Sequence, residues 1–236
     1  MSVGPECCSN PPAIISGSDV VQIGSLNSYV SGNPDSNIGV ILVSDVFGYE
    51  APKLRKGMLS YYYIYIQMNR CISTFKVEAV EFAKPVIQAL IEKGTSKVAA
   101  AGFCWGELAK TADIQVAAVL HPSFVTLDDI KGVKVPTAIL GAELDTMCPP
   151  ELVKKFEVAL EANQINTTRT DPFIVSRFML VWFMGMQIEH FVKIYPGVSH
   201  GWTIRYEDDD EAAKKCASEA QQDLVDWFDK CLKTNQ

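Results

Sequence analysis

The stretch that most constrains this chain is Gly102-Phe103-Cys104-Trp105-Gly106. The apolar run Lys97-Val98-Ala99-Ala100-Ala101 precedes it, and Glu107-Leu108-Ala109-Lys110, of helix-favouring composition, follows. A Gly-x-Cys-x-Gly between strand and helix is the cysteine form of a nucleophile elbow: a tight turn lifts one side chain out of the backbone, and the flanking glycines let strand and helix approach. The cysteine then sits at a helix N-terminus, where unpaired N–H groups favour a thiolate and an oxyanion. With 15 glycines and 7 cysteines in 236 residues, roughly 0.03 such matches arise by chance. A buried cysteine between packing glycines is the plainer reading of the motif alone. Residues downstream reverse that order.

The length suits one large α/β domain. A formal charge of −7 and a pI near 5.0 argue against a nucleic-acid or anionic-membrane surface. The seven cysteines are odd in number and lack zinc-type spacing, so reduced thiols in a cytoplasmic setting are expected, with no metal and no cofactor. No signal peptide or membrane span is expected. The Asn166-Thr167-Thr168 sequon is then inert.

Residues 1–18, rich in Pro, Ser, Gly and Asn, read as an N-terminal arm, and 19–236 as a single domain. Val20 to Ile23 and Ser28 to Val30 suggest a hairpin. The continuous apolar run Ile38 to Val43 fits a parallel strand covered on both faces. A short helix is expected over Pro52 to Leu59 and a strand over Tyr61 to Ile66. A helix over Val77 to Lys93 is stopped by Gly94, with Pro85 kinking it or marking its start. Strands follow at 97–102, Ile114 to Leu120 and Val135 to Leu140, then a helix from Glu151 to Ala162 opened by Pro149-Pro150. A last strand spans Val192 to Tyr195. In the helix Glu211 to Lys233, Cys216, Ala220, Leu224, Trp227, Phe228 and Cys231 share one apolar face. Alternating strands and helices indicate a doubly wound, mostly parallel α/β sheet flanked by helices, with ligands beyond the carboxyl ends of its strands.

Those strand ends supply Cys104, Asp145 and His200, in the chain order nucleophile, acid, base. Of the other histidines, His121 follows a strand beside Pro122 as nearby structure, and His190 lies in an apolar insertion. His200 can hold the Cys104 proton or stabilise its thiolate, while Asp145 fixes the imidazole tautomer. An oxyanion hole is expected from the Trp105 N–H and a second N–H in the Asp45–Phe47 loop, at Val46 or Phe47.

The chain resembles the dienelactone hydrolase family, of α/β-hydrolase fold, and especially its plant cytosolic branch. The stretches that carry the resemblance are Pro5 to Pro12, Ser44 to Glu50, Ala101 to Gly106, His121-Pro122-Ser123, Leu140 to Asp145 and Pro196 to Trp202. It implies a small-molecule ester or lactone substrate, cleaved through a thioester acyl-enzyme with Cys104, Asp145 and His200 as nucleophile, acid and base. Asp45 stands where bacterial members carry a glutamate that interacts with the nucleophile, and Trp202 follows the histidine; both are candidates for substrate binding or for modulating the thiol.

Three segments depart from the family. Trp105 to Asp113 supplies nine residues where a return across a five- or six-residue strand needs about 11–13 in a helix. Residues 56–75 become a tyrosine-rich run that replaces a substrate-contacting loop, with Arg70 a basic candidate by type only. Residues 163–190 place 28 residues, with a mostly apolar run from Phe173 to Met186, where two to six are usual. These departures read as an imperfect gene model, with retained intron sequence at 163–190, and that segment is expected outside the core of the sheet. Two other functions compete with ester hydrolysis. One is a non-enzymatic relative used for binding. The other is an endo-1,3;1,4-β-glucanase, as some plant relatives are called, which needs two facing carboxylates such as Asp45 with Glu50 or Glu143 with Asp145. That activity would leave the cysteine elbow without a purpose.

Overall fold

A computed structural model describes residues 20–24, 26–32, 35–48, 51–56, 63–66, 78–104, 113–165 and 186–233. The elements run β1 (Val20–Ile23), β2 (Leu26–Ser31), β3 (Ile38–Val43), α1 (Pro52–Lys56), β4 (Tyr63–Ile66), α2 (Glu78–Glu92) and β5 (Lys97–Phe103). They continue with β6 (Val116–Leu120), α3 (Leu127–Lys131), β7 (Thr137–Ala142), α4 (Pro150–Glu161), β8 (Gln164–Ile165), β9 (Met186–Gln187), β10 (His190–Tyr195) and α5 (Glu211–Lys233). The main sheet has eight strands in the order β1-β2-β4-β3-β5-β6-β7-β10. From β4 to β10 every pairing is parallel; β1 and β2 form the expected hairpin and join antiparallel at one edge. This is the doubly wound α/β arrangement expected from the alternation of strands and helices.

The strands alternate their side chains between two cores, as a pleat of period two requires. Val40, Leu42, Ala99, Ala101, Val116 and Ala118 pack with α5 through Ala220, Leu224, Trp227 and Phe228. Ile41, Val43, Val98, Ala100, Ala117 and Ile139 face the other way, onto α2, α3 and α4 through Val86, Ile87, Ile130, Val153 and Phe156. The burial of both faces explains why β3 reads as an unbroken apolar run. The alanines of β5 and Gly141 of β7 let helices lie close. A Cβ on Gly141 would stand 2.9 Å from Val153 Cγ2.

Several boundaries differ from the sequence reading. Strand β7 starts at Thr137 and not Val135, because Pro136 has no N–H for the ladder and serves only through its carbonyl, which accepts from Ala117. Pro85 lies inside α2 and does not mark its start. A five-residue helix, α3, was not anticipated; it is closed by a capping box in which Thr126 and Asp129 bond reciprocally. His190 opens β10 and is not part of an apolar insertion. The ends of the 163–190 segment also belong to the fold. β8 and β9 pair with each other, Asn163 Nδ2 donates to the Ile130 carbonyl at 3.0 Å, and Ile188 is buried in the second core. Residues 166–185 lie outside the described residues, as do the N-terminal arm, most of 56–75 and the helix expected after Cys104.

Candidate active site

Every described candidate site residue except Trp202 stands just beyond the carboxyl end of a parallel strand or in the turn that follows. Asp45 follows β3, Cys104 follows β5, Asp145 follows β7 and His200 follows β10. Cys104 has φ 74°, the left-handed conformation that a cysteine adopts only under strain, of about 1–3 kcal/mol. This is the backbone signature of an elbow. Two backbone bonds hold it: the Cys104 N–H donates to the Leu120 carbonyl at 3.0 Å, and the Cys104 carbonyl accepts from Ser123 N–H at 2.8 Å. The thiol is 2% exposed as a residue, so whatever reacts there does so out of bulk water.

Cys104, Asp145 and His200 come together, with an intermediary. Asp145 Oδ2 lies 2.8 Å from His200 Nδ1, and Asp145 Oδ1 accepts from the backbone N–H groups of Met147 at 2.8 Å and Cys148 at 3.1 Å. Both side chains are buried. The carboxylate is therefore fixed at both oxygens and orients the imidazole through Nδ1. His200 Nε2 lies 3.2 Å from Ser123 Oγ, and the same oxygen is 2.8 Å from Cys104 Sγ. Ser123 was quoted in the sequence only as part of a matching tripeptide; no spacing from Cys104 marks it.

Aromatic rings back this line. His121 meets His200 edge-on at 5.0 Å between centroids and Trp202 at 5.6 Å, while its Nε2 lies 2.9 Å from Thr203 Oγ1. Burial, then the neighbouring His200 and Arg205, push the His121 imidazole well below its usual pKa, so it packs as a neutral ring. Trp202 is buried and also packs on Tyr195 at 5.3 Å, which makes it a wall of the site.

Asp45 is buried and ion-paired. Its Oδ2 lies 3.2 Å from Arg205 Nε, with the two side chains 0% and 2% exposed, and its Oδ1 accepts from Phe47 N–H at 3.0 Å. The Arg205 guanidinium lies 5.3 Å from the Phe47 ring centroid and fills the space beside Gly201, whose φ is +83°. Arg205 was missed in the sequence. Its signal is positional: it stands one helical turn after Gly201, and its N–H donates to the Gly201 carbonyl at 3.0 Å. Trp105, Glu50 and Arg70 lie outside the described residues.

A parallel sheet in this strand order, with a left-handed cysteine after its central strand and a His–Asp pair on later strand ends, defines an α/β-hydrolase-fold protein. No family model matches the chain. It is 36% identical over 199 residues to an endo-1,3;1,4-beta-D-glucanase of Zea mays, an alignment covering 70% of this chain and 65% of the maize protein. It is 24% identical over 241 residues to the carboxymethylenebutenolidase homolog of Mus musculus, covering 89% of each. Among solved structures it superposes on one from Klebsiella pneumoniae assigned to the dienelactone hydrolases, with a TM-score of 0.64 at 17% identity over 92% of this chain and 98% of that one. An esterase of Pyrococcus furiosus gives 0.63 at 13% identity, over 94% and 99%. The chain is thus similar to dienelactone hydrolase-like proteins in sequence and in fold, and it spans 65% of the length of the maize relative. Among the described residues no helix is long and apolar enough to cross a membrane.

Proposed function

We propose that this chain hydrolyses a small ester or lactone with Cys104 as nucleophile, His200 as base and then acid, and Asp145 as the orienting carboxylate. The observation that carries this reading is the left-handed Cys104, joined through hydrogen bonds to an imidazole that a buried carboxylate holds. In the reaction, the Cys104 thiolate attacks the carbonyl carbon and the oxyanion forms. Collapse expels the alkoxide, which takes a proton from His200, and leaves a thioester. Water, deprotonated by His200, then attacks the thioester; the acid departs and the thiol is restored. In this reading the oxyanion is met by the Trp105 N–H and by that of Val46, since Phe47 N–H is engaged by Asp45. Placement in the plant branch draws support from the maize relative.

The glucanase name of that relative finds less support in the carboxylates. Asp145 is engaged with His200, Asp45 with Arg205, and Glu143 accepts from Gly197 N–H at 2.7 Å. The test is turnover of p-nitrophenyl acetate by the full chain and by Cys104→Ala, with mass mapping of the quenched reaction. The expected results are a loss of at least about 1000-fold in the variant and an acyl adduct on Cys104 in the parent chain. Undiminished turnover by Cys104→Ala would overturn the mechanism. No turnover by either chain would favour a binding protein that has kept the fold.

A further inference from the structure

We propose that Ser123 is a third reacting side chain of this site, relaying the proton from Cys104 Sγ to His200 Nε2. The inference rests on the cysteine-nucleophile reading and adds a residue to it. Its basis is the position of one hydroxyl, 2.8 Å from the thiol sulfur and 3.2 Å from the imidazole nitrogen, in a residue only 5% exposed.

The polarity of the line follows from which atoms can donate. Asp145 Oδ1 already accepts two backbone N–H groups, and Oδ2 faces His200 Nδ1, so the neutral imidazole carries its proton on Nδ1 and presents Nε2 as an acceptor. The serine has one proton. Among the described residues, the acceptors in reach are Nε2, the Cys104 sulfur at 2.8 Å and the thioether sulfur of Met147 at 3.7 Å, and the imidazole nitrogen is much the strongest. With the O–H donated to Nε2, a lone pair of Oγ accepts the S–H of Cys104. The resting line therefore reads S–H to O, O–H to N, and N–H to carboxylate, with every donor aimed at an acceptor.

Activation is then a double transfer. The thiol proton passes to Oγ as the hydroxyl's own proton passes to Nε2; an S–H and an O–H bond break while an O–H and an N–H bond form. A thiolate and an imidazolium result, and the serine is unchanged in composition but now donates to the thiolate. A charge-assisted bond to the anion stabilises it where little water reaches. The backbone supplies the rigidity that such a relay needs. Ser123 N–H is bonded to the Cys104 carbonyl, and His121 N–H to the Leu140 carbonyl, so the turn after β6 is tied to the ends of β5 and β7. His121 and Phe124, on either side, are in left-handed backbone conformations, at φ 39° and 56°, which bend the chain back toward Cys104. Among the described residues, other ionisable groups at this end of the sheet are His121 after β6, Asp45 after β3, Arg205 in the turn after His200, and Glu143 and Cys148 in the segment after β7.

The test reads the thiolate and needs no turnover. The full chain, Ser123→Ala and Ser123→Thr are treated with iodoacetamide from pH 5 to pH 9, and the rate of labelling at Cys104 is followed by peptide mass mapping. Ser123→Ala should label about 10- to 100-fold more slowly at neutral pH, the factor expected for one lost bond to a charged group, and Ser123→Thr, which keeps the hydroxyl, should return to within about threefold of the parent. Cys148 and Cys231, both buried, report folding by remaining unlabelled. If Ser123→Ala does not fold, Ser123→Gly takes its place. A rate–pH profile of the hydroxyl-free variant that superimposes on the parent's overturns the relay, and so does an acyl adduct found on Ser123 itself. If Cys104→Ala keeps ester turnover while Ser123→Ala still slows labelling, the hydrolase mechanism falls and the hydrogen-bonded relay stands.

Discussion

Replacing Arg205 with alanine tests how the β3 loop is held at the site. The arginine and Asp45 form an ion pair with Nε to Oδ2 at 3.2 Å, and their side chains are 2% and 0% exposed. Water cannot rescreen the carboxylate once its partner is gone, so the discount that applies to surface pairs does not apply here. Breaking a buried pair by removing one member costs about 3–5 kcal/mol, because the other charge stays buried. At about 2–4 °C per kcal/mol for a chain of this size, the melting temperature should fall by roughly 6–20 °C. The same reasoning predicts an asymmetry. Asp45→Asn alone takes the carboxylate charge away from the buried guanidinium and should also destabilise the fold. The double variant Asp45→Asn/Arg205→Met removes both charges and should lie within about 1–2 kcal/mol of the parent. Gly201→Ala approaches the pair from outside. Its Cβ would stand 2.2–2.4 Å from the Arg205 guanidinium at a φ of +83°, so the arginine must move, and the backbone strain adds about 1–2 kcal/mol. Urea unfolding followed by the fluorescence of the buried Trp202 and Trp227 measures all four. A loss below about 1 kcal/mol for Arg205→Ala, or a double variant that loses the sum of the singles, would refute the argument.

Iodoacetamide at neutral pH should label Cys104 before the other described cysteines: burial first, then nearby carboxylates, push Cys148 and Cys231 up to about 12 and raise Cys216, so first labelling of any of these would contradict the assignment. Acid should destabilise the chain through His121. Its folded pKa is depressed, so the unfolded state binds a proton that the folded state refuses; the stability is whole above about pH 6.5 and falls by up to about 1.4 kcal/mol per unit below it. His121→Gln should flatten that limb, and an unchanged slope in urea titrations would assign it elsewhere. Because β8 and β9 already pair Ile165 with Met186, replacing residues 166–185 by Asn-Gly should leave the melting temperature within a few degrees and raise soluble yield; a chain that no longer folds would make the segment part of the core.

Much of the sheet was legible because burial on both faces writes itself into sequence as unbroken apolar runs. Ile38–Val43 and Glu211–Lys233 were read to the residue, the first from its composition and the second from its single apolar face. Where the reading slipped, a local rule competed with the pattern. Pro136 sits in an apolar run yet cannot enter a ladder, so the strand begins one residue later. Thr126 and Asp129 spell a capping box, but a five-residue helix is too short for any periodicity to reveal.

The site divides along a different line. An elbow is local, and Gly-x-Cys-x-Gly announces it. The rest is an agreement between strand ends far apart in the chain: Asp145 meets His200 across 55 residues and Ser123 meets it across 77. A sequence offers Asp145 and His200 as candidates because each follows a strand and each is of a rare or telling type. It does not offer Ser123, since serine is common and its role depends on a turn bending back until its oxygen falls between a thiol and an imidazole. Arg205 shows the complementary failure. The sequence reading names one basic residue, Arg70, by type only and as a candidate for holding an acidic substrate, whereas the cation that reaches Asp45 comes from the turn that carries the catalytic histidine candidate. That location has a physical logic. Gly201 supplies the missing side-chain volume, one helical turn brings residue 205 over it, and the guanidinium is delivered to the β3 loop by the same short segment that aims His200. The geometry of His200 and that of the β3 loop are thereby set together, so a change at Gly201 or Arg205 should disturb both.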